Sequence, residues 1–296
     1  MALEADCRIG NERLKGNVMQ RQISKSDPES NGKIIVELHE LSETEHGAIL
    51  CYPGTDLASF PNRISQLKTL GVEYLILEGD SKVGKYGIVG RGCVSTVVKA
   101  KMKTEKNIVA LKIRRADANR PDMSHDFELQ KYANSFDVGP EAIHASKDFF
   151  AMEYIDSIKL GKWFQSLKTR SSKKFMRSLI RNTLEQCVEL DLHGLDHGEL
   201  SNPTKHVLIR KGVVPARTTI IDFESASRQR KVSNLTSVAQ FFILGGWQSG
   251  KVRRILGLGE GKQFVKTKPA LLSKLRSYKN EPSKDSFEDL LSMMKS

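Results

Sequence analysis

The residue that most restricts what this chain can fold into is a lysine. The segment VALKIRR, residues 109–115, places Lys112 in the middle of an apolar run of strand character. A buried ammonium is costly unless it is paired, so the neighbouring chain has to deliver a carboxylate to it. Upstream, CVSTVVKAKM reads as a second strand, and TEKN as the polar turn that joins the two into a hairpin. Downstream, RPDMSHDFELQKYANSFDVG reads as a helix opened by Pro121 and Asp122 and closed before Gly139. That helix carries Glu128, the expected partner of Lys112.

The hairpin is entered through KYGIVGRG. Gly90, Gly92 and Ser95 occupy the positions of a G-x-G-x-x-G turn, with Val97 two residues beyond. Without a Cβ in the way, backbone N–H groups can approach phosphate oxygens. Here the turn lies between two strands, whereas a dinucleotide fold needs it between a strand and a helix, so that fold is disfavoured.

The rest of the chain reads as follows. Residues 1–32 are polar and aperiodic, a tail. Over 33–80, KIIVEL and GAILCYP read as strands, DLASFPNRISQLKTLG as a helix and VEYLILEG as a buried strand, which makes a small β-α-β-like extension. EAIHAS and DFFAMEYI form a strand pair. Helices follow at KLGKWFQSL and about 172–192, then a strand pair at HVLI and TTIIDF, then helices to residue 296. The class expected is α+β.

Charge and composition narrow the setting. Forty-seven Lys and Arg against 35 Asp and Glu leave a net +12, which favours anionic partners such as nucleotide phosphates, acidic protein or nucleic acid; a lysine-rich thermophile surface accounts for it equally. The basic runs Arg228, Arg230, Lys231 and Lys251, Arg253, Arg254 suit RNA, a ribonucleoprotein or phosphorylated protein, or simply form a solvated face. The four cysteines contain no C-x-x-C pair, which fits neither a zinc site nor a disulfide framework and suits a reducing cytosol. The longest apolar run, 239–247, is shorter than a membrane span, and the first residues lack an apolar signal core, so a cytoplasmic protein without membrane contact is expected.

In chain order over residues 84–227, these segments resemble the eukaryotic-like protein-kinase superfamily, and within it the atypical RIO-like and KEOPS-kinase-like branch, in particular archaeal proteins classed as serine/threonine kinases. VGRGCVSTVV looks like the Gly-rich loop, Lys112 like the phosphate-binding lysine and Glu128 like its partner on helix C. AMEYI, residues 151–155, looks like the fifth strand and hinge. The resemblance then implies that Met152 is the gatekeeper and that the backbones of Glu153 and Ile155 bond adenine. It also implies a two-lobed fold, with a β-rich N-lobe over 81–155 and a small helical C-lobe over 156–296. ATP with Mg²⁺, or Mn²⁺, would bind between them and phosphorylate Ser or Thr hydroxyls of a protein, or of the chain itself.

The second half of the site is DHGELSNPTKHVLI followed by IIDFES. His197 and Gly198 match the H-G-D of the atypical branch, but Glu199 replaces the catalytic Asp, one methylene longer. Asp222 matches the metal-binding Asp of D-F-G, with Glu224 in place of Gly. The metal-binding Asn is ambiguous: counting from Glu199 gives Thr204, strand alignment with two extra residues gives His206, and Asn202 is a third candidate. Imidazole is a poor Mg²⁺ ligand, so His206 there implies one metal ion or a preference for Mn²⁺. His193 and His197, four apart, suit a metal less well than His197 bracing this loop, because Gly194 and Gly198 break the helix. Gly198 where regulated kinases carry Arg, and the absence of A-P-E, imply no activation-loop control. Three other readings stay open: a small-molecule phosphotransferase like aminoglycoside or choline kinases, a pseudokinase serving as a nucleotide-gated binding module, and an ATPase assisting RNA or ribosome assembly.

Overall fold

The computed structural model describes residues 33–54, 57–166, 173–245 and 249–294; the tail expected over 1–32 lies outside them. The described chain opens with β1 (Ile34–Glu37), α1 (Glu43–Leu50), α2 (Phe60–Thr69) and β2 (Val72–Leu77). GAIL, expected as a strand, is the second half of α1. Ser42 stands at its N-cap and Glu43 and Glu45 in its first turn, where carboxylates complement the helix dipole. A four-residue apolar run has too little periodicity to separate the two states. β1 and β2 pair antiparallel, Ile35 opposite Ile76, rather than as the parallel pair of a β-α-β unit.

The chain continues through β3 (Ser81–Val83), β4 (Tyr86–Ile88), β5 (Gly90–Arg91), β6 (Ser95–Met102), β7 (Val109–Arg114), α3 (Ser124–Asn134), β8 (Ala142–Ala145) and β9 (Phe149–Glu153). One sheet runs β1-β2-β6-β7-β9-β8 with antiparallel neighbours, and β5 also pairs with β6. β2 and β5 therefore share one edge of β6: Ile76 faces Lys99 and Gly90 faces Val97. Between them the chain leaves the sheet as the β3–β4 hairpin. Gly79 makes that exit possible, with φ of +138° and a Cβ position only 2.2 Å from the Ile88 carbonyl oxygen.

Register decides which face holds what. Val97, Lys112 and Phe150 are cross-strand partners and share one face, as do Lys99, Ala110 and Met152. On the opposite face Val98, Leu111 and Ala151 pack with Leu50, Leu67 and Leu75 from residues 33–80 into one core. That segment thus extends the sheet and covers its back.

After β9 come β10 (Ser157–Lys159), α4 (Leu160–Ser166), α5 (Lys173–Leu192), β11 (Val207–Arg210) and β12 (Thr218–Ile220). α6 (Asn234–Ala239), α7 (Ser249–Ile255), α8 (Gly261–Asn280) and α9 (Lys284–Leu291) follow. β10, β11 and β12 form a separate antiparallel sheet. A second core gathers Leu179, Leu184 and Val188 of α5 with Val207, Phe242 and Leu271. The class is α+β with antiparallel sheets. Among the described residues no helix is long and apolar enough to cross a membrane.

Candidate functional site

Lys112 is 4% exposed, and two carboxylates meet it. Its Nζ lies 2.7 Å from Asp222 Oδ1 and 3.5 Å from Asp126 Oδ2. Burial opposes its charge, yet the two aspartates override that and hold its pKa above the usual lysine value. The partner on α3 is therefore Asp126, a correction to the expected Glu128, which is exposed. Residues two apart on a helix point about 200° away from each other. Asp126, Leu129, Gln130 and Ala133 make up the buried stripe of α3, a periodic signal that sequence reasoning missed. Arg120 completes the group, with Nη1 3.0 Å from Asp126 Oδ1 and Nη2 donating to the Glu224 carbonyl.

Asp222 follows β12 with φ 75° and ψ 72°. The left-handed region costs a non-glycine residue energy and gathers at functional positions, although Asp tolerates it better than most. Its side chain is 31% exposed. Burial raises its pKa, but Lys112 overcomes this and keeps the carboxyl below its ordinary value. Two residues on, Glu224 is pushed up to about 7 by burial and by the neighbouring Asp222 charge.

The loop before β11 brings up a fourth carboxylate. Glu199 Oε1 accepts a hydrogen bond from Ser225 Oγ at 2.6 Å, and Glu199 Oε2 lies 2.8 Å from His206 Nε2. His206 Nδ1 is buried without a hydrogen-bond partner among the described residues, 3.9 Å from Asp222 Oδ2. His197 braces this loop as expected, its Nε2 3.0 Å from the Ile221 carbonyl oxygen. Burial pushes its pKa down to about 4. The His197 N–H donates to Asn234 Oδ1, and Asn234 Nδ2 donates to Asp191, which ties the loop to the start of α6. Gly198, with φ +87°, is required here because a Cβ would lie 2.8 Å from the Ser225 carbonyl oxygen.

The remaining expected residues divide. Gly90 and Val97 are paired across β5 and β6. Gly92 closes the hairpin by donating its N–H to the Ser95 carbonyl at 2.8 Å, so this amide is spent within the turn, and Ser95 is buried. Neither Gly90 nor Gly92 has positive φ. Met152 lies opposite Ala110 on the Lys112 face. The Glu153 N–H donates to the Glu141 carbonyl, and the Ile155 carbonyl accepts from Ser157 Oγ. Asn202 is exposed and its amide oxygen accepts from Thr204 Oγ1 at 2.6 Å in a local turn.

Among the described residues no group of three or more His, Cys, Asp and Glu is arranged to hold a metal ion. The donors left facing each other are Asp222 Oδ2 and His206 Nδ1, one hard oxygen and one imidazole nitrogen. That pair fits a Mg²⁺ ion through the carboxylate alone. The arginines of the basic runs are engaged locally: Arg228 lies over the Tyr132 ring, Arg230 pairs with Asp196 at 2.9 Å, Arg254 pairs with Glu260 at 2.6 Å and Arg253 lies over the Phe264 ring. No family model and no curated protein matches the chain in sequence.

Proposed function

We propose that the chain is an ATP-dependent phosphotransferase with a two-lobed, protein-kinase-like fold, transferring the γ-phosphate to a Ser or Thr hydroxyl of a protein. One observation carries this reading: Lys112, from the sheet that bears the glycine hairpin, and Asp222, from the turn after β12, form a 2.7 Å ion pair across 110 residues of chain. Two charged groups that far apart in sequence, held at the rim of two cores, suit the handling of a polyanion.

In this reading the nucleotide lies on the sheet face that carries Val97, Ala110 and Met152, with Gly90, Gly92 and Ser95 above its phosphates and Glu153 and Ile155 at the adenine edge. Lys112 turns from Asp222 to the phosphates. Asp222 would hold a divalent cation, which neutralises charge on the phosphates when bound. The acceptor hydroxyl would take the place that Ser225 Oγ has on Glu199 Oε1. Its oxygen bonds to the γ-phosphorus, the bond to the β–γ bridging oxygen breaks, ADP leaves and the hydroxyl proton passes to Glu199. The test is single-turnover transfer from labelled ATP to a general protein substrate and to a panel of small alcohols and amines. Labelled phosphoserine or phosphothreonine is expected. Labelling confined to small molecules would overturn the protein substrate.

A second reading, a nucleotide-gated binding module, has its own support. Both Glu199 oxygens are engaged by Ser225 and His206, and the Gly92 amide is spent on Ser95. ATP binding without turnover in the same experiment would favour it.

A further inference from the structure

We propose that Arg115, braced by Tyr52 of the 33–80 segment, is a positioning residue that turns a backbone N–H of the glycine hairpin toward the nucleotide phosphates. This rests on the nucleotide half of the phosphotransferase reading and goes past it, by making the extension part of the site.

Arg115 holds the hairpin tip at two points. Its backbone N–H donates to the Val94 carbonyl at 2.9 Å, and its Nη1 donates to the Gly92 carbonyl at 3.0 Å. The other guanidinium nitrogens are committed elsewhere: Nε and Nη2 donate to the two carboxylate oxygens of Asp117 at 2.8 and 2.7 Å. A guanidinium is planar, so this two-pronged pair fixes where Nη1 points. The 33–80 segment supplies the brace. Cys51 is fully buried in the core behind the sheet. The next residue, Tyr52, accepts from the Ala116 N–H at 2.7 Å through its carbonyl. Its ring lies 4.9 Å from the Arg115 guanidinium and 5.9 Å from that of Arg91, within cation–π range. Arg91 Nη1 also donates to the Tyr52 hydroxyl at 3.4 Å.

The direction of the grip decides what the tip presents. Leu111 and Ile113 point into the core behind the sheet. Arg115, two residues further on, falls on that same side, and Lys112 on the other. The Gly92 carbonyl is therefore held from behind. In a trans peptide the C=O and the N–H of one plane point in opposite directions, so the Cys93 N–H is turned to the side of Lys112. Among the described residues no acceptor takes it. The Gly92 N–H is closed onto the Ser95 carbonyl, so the amide left for an anion is the next one along. A donor fixed before its ligand arrives spares the cost of ordering it on binding.

The experiment uses the full chain, with ATP and adenosine as separate ligands in the presence of Mg²⁺, and single-turnover transfer beside it. Only ATP brings phosphates to the tip, so a general defect in folding moves both ligands and loss of the oriented amide moves one. Arg115→Ala is expected to weaken ATP about tenfold, the worth of about one hydrogen bond to an anion, and to leave adenosine within about twofold. Half-saturating ATP in transfer should rise by the same factor, with the rate at saturation kept. Tyr52→Leu, which leaves the pair of Arg115 with Asp117 in place, should weaken ATP about threefold. Tyr52→Phe keeps the ring and should restore wild-type binding. ATP and adenosine weakened together, or ATP affinity unchanged in Arg115→Ala and Tyr52→Leu, overturns the role of Arg115 and leaves the phosphotransferase reading standing. Selective loss of ATP affinity in a chain that binds ATP but transfers nothing supports that role and overturns the transfer. A folded wild type that binds no ATP overturns both.

Discussion

Two buried ion clusters sit on the same sheet, and they are built to opposite specifications. At one end of β7, Asp148 accepts from Arg63 Nη2 at 3.1 Å, Arg114 Nε at 2.8 Å and Gln66 Nε2 at 2.7 Å. Arg63 is fully buried and also donates to the Leu50 and Arg114 carbonyls. Both Asp148 oxygens are occupied, and the cluster fastens α2 to the strand ends. Around Lys112 the count does not close. Among the described residues Asp222 keeps one oxygen without a hydrogen-bond donor and His206 Nδ1 has no hydrogen-bond partner; the Asp222 backbone is left-handed, and the Glu224 pKa is pushed up to about 7. The carboxylate of the first cluster is saturated, although Arg63 Nε is buried there without a partner among the described residues; what distinguishes the second is a carboxylate with an oxygen to spare, and that is a place for a ligand. The two are joined through Arg120, whose carbonyl accepts from Arg114 and whose guanidinium pairs with Asp126.

The sharpest way to separate the two clusters is to neutralise one aspartate in each. Asp222→Asn and Lys112→Met are expected to reduce single-turnover phosphoryl transfer by about a thousand-fold or more, ~4 kcal/mol of barrier. Folding of Asp222→Asn should change little. Lys112 keeps Asp126, and removing the Asp222 charge lets Glu224 ionise in its place. Transfer within tenfold of wild type in either variant would end the assignment of this pair to the phosphates.

Asp148→Asn should behave the other way round. It leaves two guanidiniums, one of them fully buried, without their carboxylate. Breaking a buried pair this way costs about 3–5 kcal/mol. Urea unfolding should show the loss, and transfer by the fraction still folded should be unaffected. A loss below about 1 kcal/mol would mean that the cluster is no more than a surface pair.

A smaller effect follows from acid. Burial raises the Asp148 pKa, but Gln66 and the two arginines override it and hold the carboxyl below its ordinary 3.8. The unfolded chain therefore takes up this proton first as pH falls. Stability from Asp148 is present above 3.8 and is lost as pH drops through the lower folded value. The gap in urea midpoint between wild type and Asp148→Asn should narrow between about pH 5 and about pH 3. A constant gap would show that the carboxyl does not titrate with folding.

Much of this was legible in the sequence wherever the signal was periodic or local. The β6–β7 hairpin, the β8–β9 and β11–β12 pairs, α2, α3 and α5 all fall where alternation, helical spacing and their glycine or proline stops put them. Pairing across a distance was not legible. Nothing in VEYLIL indicates that β2 and β5 share one edge of β6, because the β3–β4 hairpin between them is a detour that only the folded sheet makes visible. At the site, Lys112 and Asp222 were marked by their neighbours in sequence. That His206 is the candidate whose ring lies near Asp222, Nδ1 to Oδ2 at 3.9 Å, is visible only in the folded chain.

The smallest expected effect tests the helix itself. Sequence order suggests Glu128 as the partner of Lys112, and facing selects Asp126. A helix advances about 100° per residue, so only one of the two can point at the sheet. The choice falls on the residue in register with Leu129, Gln130 and Ala133, whose side chains are buried. Glu128→Gln should then leave stability within about 0.5 kcal/mol of wild type, and transfer unchanged. Asp126→Asn removes the carboxylate that Lys112 and Arg120 share, so transfer should fall even where Asp222 is intact, because Lys112 is no longer held from both sides. If Glu128→Gln were the variant that lost transfer, α3 would have to turn by half a revolution when nucleotide binds, and the stripe that buries Leu129 would have to open with it.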